Sequence, residues 1–175
     1  MLISYLMLFS SLLAIQPALS GILHDGFPFN LNPGFDIRQV AFLAESIPLH
    51  SWEFGTASET LLELYDPDIS VFGSSPFSLT KHYLEAHRGK IRGLEYAKSV
   101  IVLGTGANRL ADGDGAVGDP ASLGVSAVLL GQYLAPEEGA LYLNASVGEV
   151  EYTMDQAPRW SNGAISHRVA APELW

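Results

Sequence analysis

Three aspartates lie close together in segment 110–120, which reads LADGDGAVGDP. Glycines between Asp112, Asp114 and Asp119 allow the backbone to turn tightly, and the proline after Asp119 indicates a helix whose amides point back at the loop. An EF-hand is excluded, because Leu123 stands where the bidentate glutamate ligand would be needed. Asp119 is therefore a candidate catalytic carboxylate. The alternatives are a plain helix cap for Asp119 and turn positions for the other two.

A second group of polar residues follows in segment 158–168, PRWSNGAISHR. Arg159 offers a cation for a carboxylate, Trp160 an aromatic face for a sugar ring, and His167 a donor for hydroxyl groups. Together they suit a sugar acid, although a histidine in a loop is also common as a surface or capping residue. Near the start of an earlier helix, Trp52 is a further candidate for lining a pocket, with core packing as the alternative.

The composition excludes several other classes of site. The chain has 175 residues and no cysteine, so a disulfide framework, a zinc-thiolate site and a thiol nucleophile are ruled out. It also lacks the motifs of serine hydrolases of the elbow type, HExxH metalloproteases, P-loop proteins and dinucleotide-binding proteins.

The net charge of the chain limits the partners that it is expected to bind. Nineteen acidic and nine basic residues give a formal net charge of −10, without a basic face that could bind a phosphate backbone. Nucleic acid is therefore not an expected partner. An anionic ligand would have to be held by local groups such as Arg159 and His167, because the overall field of the protein repels it.

Residues 1–20 read as a signal peptide. They carry no charged side chain, contain an apolar run, and end in small residues after Pro17, which predicts cleavage after Ser20 and a secreted, extracellular protein. The sequon at Asn144 is compatible with secretion. The alternative is an uncleaved membrane anchor, for which the apolar run is short of the roughly 20 residues that a span needs. After cleavage we expect residues 21–175 to form one domain without stable membrane association.

The elements that must position the candidate residues are predicted to be helices. Apolar side chains recur at spacings of three and four, capping residues precede prolines, and no strand alternation or exact repeat is found. The segment after Asp119 is apolar on nearly every face, which indicates an inner helix. The sequence predicts about five helical stretches: 36–65, 75–87, 90–103, 120–134 and 136–156. Pro48 interrupts the first stretch and divides it into the first and second predicted helices, so 75–87 is the third and 90–103 the fourth. The end of the fourth predicted helix, 100–103, could equally be a short strand.

Four segments carry a family resemblance: HSWEFGTASETLLELY, SVFG, GDGAVGDPASLGVSAVLLG and PRWSNGAISHRVAAPELW. In this order they resemble the secreted six-hairpin glycosidase-like proteins of filamentous fungi, which are related to the unsaturated glucuronyl and rhamnogalacturonyl hydrolases. The resemblance covers roughly residues 30–175. It implies an all-α fold, an (α/α)6 toroid of six helical hairpins, of which this chain would hold about the first half.

The resemblance also implies a chemistry. In that family an aspartate protonates the C4=C5 double bond of an unsaturated uronic acid, water adds at C5, and the hemiketal opens to release the sugar. Asp119 is similar to the first active-site aspartate of the family and His167 to its substrate-contacting histidine. The residues after Trp160 depart from the family's Gly-Gly-aromatic run, so the stacking partner is either Trp160 or missing. The resemblance implies neither a metal nor an organic cofactor. Trp175 matches a tryptophan that the family follows with its proton-donating aspartate.

The chain stops at Trp175, so we expect a glycoside hydrolase-like protein with little or no activity of its own. The expected ligand is an oligosaccharide, with unsaturated uronides as the family's substrate class. A half-toroid would leave apolar helix faces open, and self-association through that edge is expected. The alternatives are a non-catalytic secreted carbohydrate-binding or effector-like protein and a membrane-anchored helical protein.

Overall fold

The fold is all-α. A computed structural model describes residues 33–87 and 90–170, in which there are six α-helices and no strand. The predicted signal peptide, residues 1–20, and Trp175 lie outside the described residues. The helices are α1 (Ile37–Ser46), α2 (Ser51–Tyr65), α3 (Lys81–Ala86), α4 (Arg92–Val100), α5 (Gly124–Tyr133) and α6 (Pro136–Glu151).

Most predicted boundaries agree with these elements. Asp36 caps α1 by accepting from the backbone N–H of Arg38, and the break at Pro48 separates α1 from α2. Helix α2 ends at Tyr65, because Asp66 precedes Pro67 and the residue before a proline is driven away from helical angles. Helix α6 continues into a π-helical turn, Tyr152–Gln156, as the three-and-four spacing predicted.

The predicted start of the third helix at Ser75 is wrong. Thr80 caps α3 instead, with its hydroxyl oxygen accepting from the backbone N–H of Tyr83 at 3.1 Å. The residues before it form a loop in which Phe77 has a positive φ of 58°. Gln132 of α5 holds that loop, donating to the Phe77 carbonyl at 2.9 Å. The predicted helix start at Ser75 and Pro76 is therefore a loop, which a side chain from a distant helix holds in place.

The fourth predicted helix is also shorter than expected. Helix α4 ends at Val100, and Ile101 is extended. The next residues run alongside a later part of the chain, since the N–H of Val102 donates to the Leu110 carbonyl at 3.1 Å. This pairing is too short to form a strand within the described residues, so neither alternative for 100–103 holds in full.

Helices α2 and α5 lie side by side and run in the same direction. The hydroxyl oxygens of Ser58 and Ser126 are 2.6 Å apart in the buried contact between them. One turn nearer their N-terminal ends, Gly55 faces Ser122 so closely that a Cβ on Gly55 would lie 2.1 Å from the Ser122 hydroxyl oxygen. The absence of a side chain at Gly55 is therefore what allows the two N-terminal ends to meet.

Helices α4 and α6 run antiparallel to these two. Gly93 at the start of α4 packs on Leu62 near the end of α2, and Gly139 at the start of α6 packs on Gly131 near the end of α5. Of the ten residues of helix α5, four are buried, five are half-buried and only Gln132 is exposed. The helix is thus largely covered by its neighbours, which agrees with the prediction of an inner helix.

The main core lies between α2, α4, α5 and α6, and α1 and α6 also leave apolar side chains in solvent. Buried leucines, alanines and Tyr142 from these four helices form one cluster with residues of the connecting segments, which are Ile69, Ile91, Ile101, Leu110, Ala111 and Leu123. Exposed apolar residues form two groups. The first is Val40, Phe42 and Leu43 of α1 with Ile47 directly after it, and the second is Leu141, Leu143, Val147 and Val150 of α6.

Candidate functional site

Asp119 and Trp52 are brought to the same end of the helix pair by Ser122. The Ser122 hydroxyl lies 2.6 Å from the Asp119 carbonyl oxygen and 3.2 Å from the Ser51 carbonyl oxygen. Ser51 begins α2, and Asp119 precedes the 3₁₀ turn Pro120–Leu123 that leads into α5. The N-terminal ends of α2 and of the turn that leads into α5, each with a partial positive charge, therefore meet where the candidate residues lie.

The Asp119 carboxylate does not cap the turn that follows it. Asp119 has helical angles, φ −64° and ψ −44°, and its side chain accepts no capping hydrogen bond. An N-cap normally has extended angles so that its side chain can reach the next amides. The helix-cap alternative for Asp119 is therefore wrong, and its half-buried carboxylate is not committed to capping.

Trp52 is a surface residue, with 51% of its area exposed. The core-packing alternative for Trp52 is therefore wrong. Its backbone is fixed by the first turn of α2, where the Glu53 carboxylate accepts from the N–H groups of Leu49 at 2.7 Å and His50 at 3.0 Å. These two bonds lower the pKa of Glu53, because they stabilise its charged form. An indole on a fixed helix start can offer a flat face to a ring.

His167 lies against the same loop through backbone pairing. The Val117 N–H donates to the His167 carbonyl at 2.8 Å, and the Val169 N–H donates to the Gly115 carbonyl at 2.9 Å. Ala116 and Arg168 form an antiparallel bridge between the same two segments. His167 itself is half-buried, and its backbone partner Val117 lies two residues before Asp119 in the chain. Two segments that are far apart in sequence are thus joined next to the candidate carboxylate.

Arg159 and Trp160 belong to a compact turn that precedes His167. The Trp160 N–H donates to the Ala164 carbonyl and the Gly163 N–H donates to the Trp160 carbonyl, both at 2.9 Å. The Arg159 guanidinium donates to the carbonyl oxygens of Gly163 at 2.9 Å and of Met154. Arg159 therefore ties the turn to the end of the last helix, and its remaining N–H groups are what it could offer to a ligand.

The aspartate loop has its own internal scaffold. One Asp112 oxygen accepts from the Asp114 N–H at 3.0 Å and from the Asn108 side chain at 3.2 Å, and the Asn108 side-chain oxygen accepts from the Gly113 N–H. Asp114 has a positive φ of 49°, which aspartate tolerates better than most residues. The turn role that was the alternative for Asp112 and Asp114 fits this geometry.

Sequence reasoning missed Glu149 of α6. Only 1% of its area is exposed, and its carboxylate accepts from the Arg109 N–H at 3.0 Å at the start of the aspartate loop. Burial raises the pKa of Glu149, and the hydrogen bond from the Arg109 amide and the positive charge of Arg109 offset part of that rise. No sequence signal distinguishes Glu149 from Glu151 two residues later, because both interrupt an apolar pattern in the same way.

Searches for other kinds of site were negative within the described part of the chain. Residues 33–87 and 90–170 contain no cluster of histidines and carboxylates that could hold a metal ion. Over the same residues, no helix is both long and apolar enough to cross a membrane.

Comparison of the chain with protein-family models, with curated proteins and with solved structures gave no match. The family resemblance therefore rests on the sequence segments, and the site rests on the geometry given above.

Proposed function

We propose that this protein is a secreted glycoside hydrolase-like protein of carbohydrate metabolism that binds unsaturated uronyl oligosaccharides. The observation that carries the proposal is the convergence of two parallel helix N-terminal ends on an uncommitted carboxylate. The Ser122 hydroxyl joins the Asp119 carbonyl there to the Ser51 carbonyl, next to the exposed Trp52 in the chain, and the His167 segment pairs with the same loop. A sugar acid needs an aromatic face, hydroxyl-binding groups and a carboxyl group at its reacting carbon, and this end of the fold has all three residue types.

The helix arrangement supports the finer proposal of a partial (α/α)6 toroid. In such a toroid the inner helices run parallel to each other, and each outer helix runs antiparallel between them. Helices α2 and α5 have the parallel relation, and α4 and α6 have the antiparallel one. We propose that α2 and α5 are inner helices and that the site lies at their N-terminal ends.

In the proposed chemistry Asp119 acts as one carboxyl group of the reaction. The family reaction moves a proton from a carboxylic acid to C4 of the ring, after which water adds at C5 and its proton returns to a carboxylate. His167 and Trp160 would contact the sugar, and Trp52 would line the approach. A carboxylate beside helix N-terminal ends can also orient a substrate hydroxyl without taking part in proton transfer.

The test uses an unsaturated glucuronyl disaccharide prepared with a polysaccharide lyase. Binding is followed by tryptophan fluorescence, and turnover by loss of the ultraviolet absorbance of the C4=C5 bond. We expect saturable binding that Asp119→Asn weakens and that the control Asp114→Asn, in the same loop, leaves unchanged. Binding with no absorbance loss at stoichiometric protein would assign a non-catalytic carbohydrate-binding protein. A lack of both binding and turnover would refute the proposal.

Secretion is proposed from residues 1–20 alone and has its own test. The protein is expressed with its own leader in a fungal host, and the N-terminus of the medium fraction is sequenced. Cleavage after Ser20 supports the proposal. Retention of the intact leader in carbonate-washed membranes would support the anchored alternative.

Self-association is proposed from the two exposed apolar surfaces. Single exposed apolar residues are ordinary, whereas several on one helix face indicate a contact surface. Sedimentation velocity at rising protein concentration should show association that weakens in the double variant Val147→Lys and Val150→Lys on α6. A concentration-independent monomer would contradict this.

A further inference from the structure

We propose that Glu149 is a positioning residue that fixes the aspartate loop, residues 109–119, and through it the site of Asp119. The inference rests on the function proposed for Asp119. Glu149 does not reach a ligand, since it is buried beneath the loop.

The first step is the contact itself. The Glu149 carboxylate accepts from the Arg109 N–H at 3.0 Å. Its other oxygen, Oε1, is buried and has no partner among the described residues. A buried acceptor without a partner costs stability, and a neutral side chain could fill the space at lower cost. The hydrogen bond to the Arg109 amide at the start of the loop gives a reason for that cost.

The second step is the close fit around the contact. Gly148 lies under the Arg109 side chain, where a Cβ would come within 2.5 Å of the guanidinium carbon. The Arg109 Nε is buried and without a partner in the described part of the chain. Gly148 and Glu149 together therefore fix both the backbone and the side chain of Arg109 against α6.

The third step is that hydrogen bonds and packing fix the backbone between Arg109 and Asp119. The Leu110 carbonyl accepts from Val102, the Gly113 carbonyl accepts from Ala116 at 2.8 Å, and Val117 donates to His167 at 2.8 Å. Leu110, Ala111 and Val117 are buried. A shift at the start of this loop is thus transmitted along hydrogen-bonded and packed residues to its end.

The experiment compares Glu149→Ala, Glu149→Gln and a matched control, Glu151→Ala, an exposed glutamate on the same helix. Amide hydrogen exchange is measured over residues 109–119, and the Kd of the unsaturated disaccharide is measured well below the melting temperature. Glu149→Ala should speed exchange in the loop at least roughly tenfold, as expected when bonds to a buried charged group are lost. It should also weaken the binding of the disaccharide by roughly threefold or more, because the loop that carries Asp119 loses a hydrogen bond of about 1 kcal/mol. Glu149→Gln keeps an acceptor and should restore both values, and Glu151→Ala should match the wild type.

A lower melting temperature in Glu149→Ala with unchanged loop exchange and unchanged Kd would overturn the proposal, because a merely structural role predicts that pattern. Should Glu149→Ala fail to fold, Gly148→Ala displaces Arg109 from the other side and should give the same local increase in exchange. A wild type that does not bind the disaccharide refutes the proposed function, whereas the exchange result still decides whether Glu149 holds the loop.

Discussion

Replacing Gly55 with alanine tests the close approach of α2 and α5 directly beneath the candidate site. On an exposed helix this substitution stabilises by about 1 kcal/mol, because alanine has the higher helix propensity. Here the new Cβ would lie 2.1 Å from the Ser122 hydroxyl oxygen and 2.7 Å from its backbone carbonyl carbon. The hydroxyl can rotate away, but the backbone atom cannot. The helix pair must therefore separate.

The two effects differ enough to decide the sign. Overpacking of a well-packed contact costs about 1–3 kcal/mol. Separation also removes the hydrogen bond from Ser122 to the Ser51 carbonyl, worth about 1 kcal/mol. After the propensity gain is subtracted, we expect Gly55→Ala to lose about 1–3 kcal/mol of unfolding free energy. The melting temperature should fall by about 2–4 °C for each kcal/mol lost.

The assay is urea denaturation followed by far-ultraviolet circular dichroism, with Gly124→Ala as the matched control. Gly124 begins α5, and a Cβ there would meet no atom within 4 Å. The control should therefore gain about 0.5–1 kcal/mol. If Gly55→Ala were as stable as the control, the close approach of the two N-terminal ends would be refuted, together with the site built on it.

Three further outcomes are expected. Arg92→Met should lower the free energy of unfolding by about 1 kcal/mol or more, because it removes a half-buried bidentate ion pair with Glu45, with bonds at 2.6 and 3.0 Å. A double-mutant cycle with Glu45→Gln measures the coupling between the two residues, and purely additive effects would contradict the pair. Ser126→Ala should cost less than about 1 kcal/mol in urea denaturation, since Ser58 retains the Gly93 carbonyl as acceptor. The pKa of Glu149 is higher in the folded state than in the unfolded state, so the wild type loses stability as pH rises and Glu149 ionises. Glu149→Gln does not ionise and should therefore gain stability relative to the wild type as pH rises. A stability difference that stays constant between pH 5 and 8 would contradict this.

The sequence predicted most of what local chemistry determines. The break at Pro48, the Asp36 cap and the largely covered position of α5 follow from short-range signals, and each agrees with the structure. The wrong start at Ser75 has a long-range cause, because the side chain of Gln132 holds the loop from the other side of the core. A capping signal gives no information about such a contact.

The candidate site was likewise predictable only where local sequence signals determine it. Residue types and spacing selected Asp119, and the family resemblance contributed most to the choice of His167. Only the fold brings their segments together, through backbone pairing of Val117 with the histidine segment. Glu149 was not predictable, because a glutamate in an amphipathic helix normally faces solvent and its burial depends on where the aspartate loop passes. Burial of a carboxylate is a tertiary property that periodicity cannot supply.

The most direct test of the central claim is an amide chemical-shift titration with the unsaturated glucuronyl disaccharide. The account predicts shifts that cluster at the N-terminal ends of α2 and α5, near Trp52 and Asp119, and in the segment around His167. Saturation should follow one Kd at all three places. Shifts confined to the opposite end, around Phe77 and Gln132, or no shifts at millimolar ligand, would contradict a uronide site at the helix N-terminal ends.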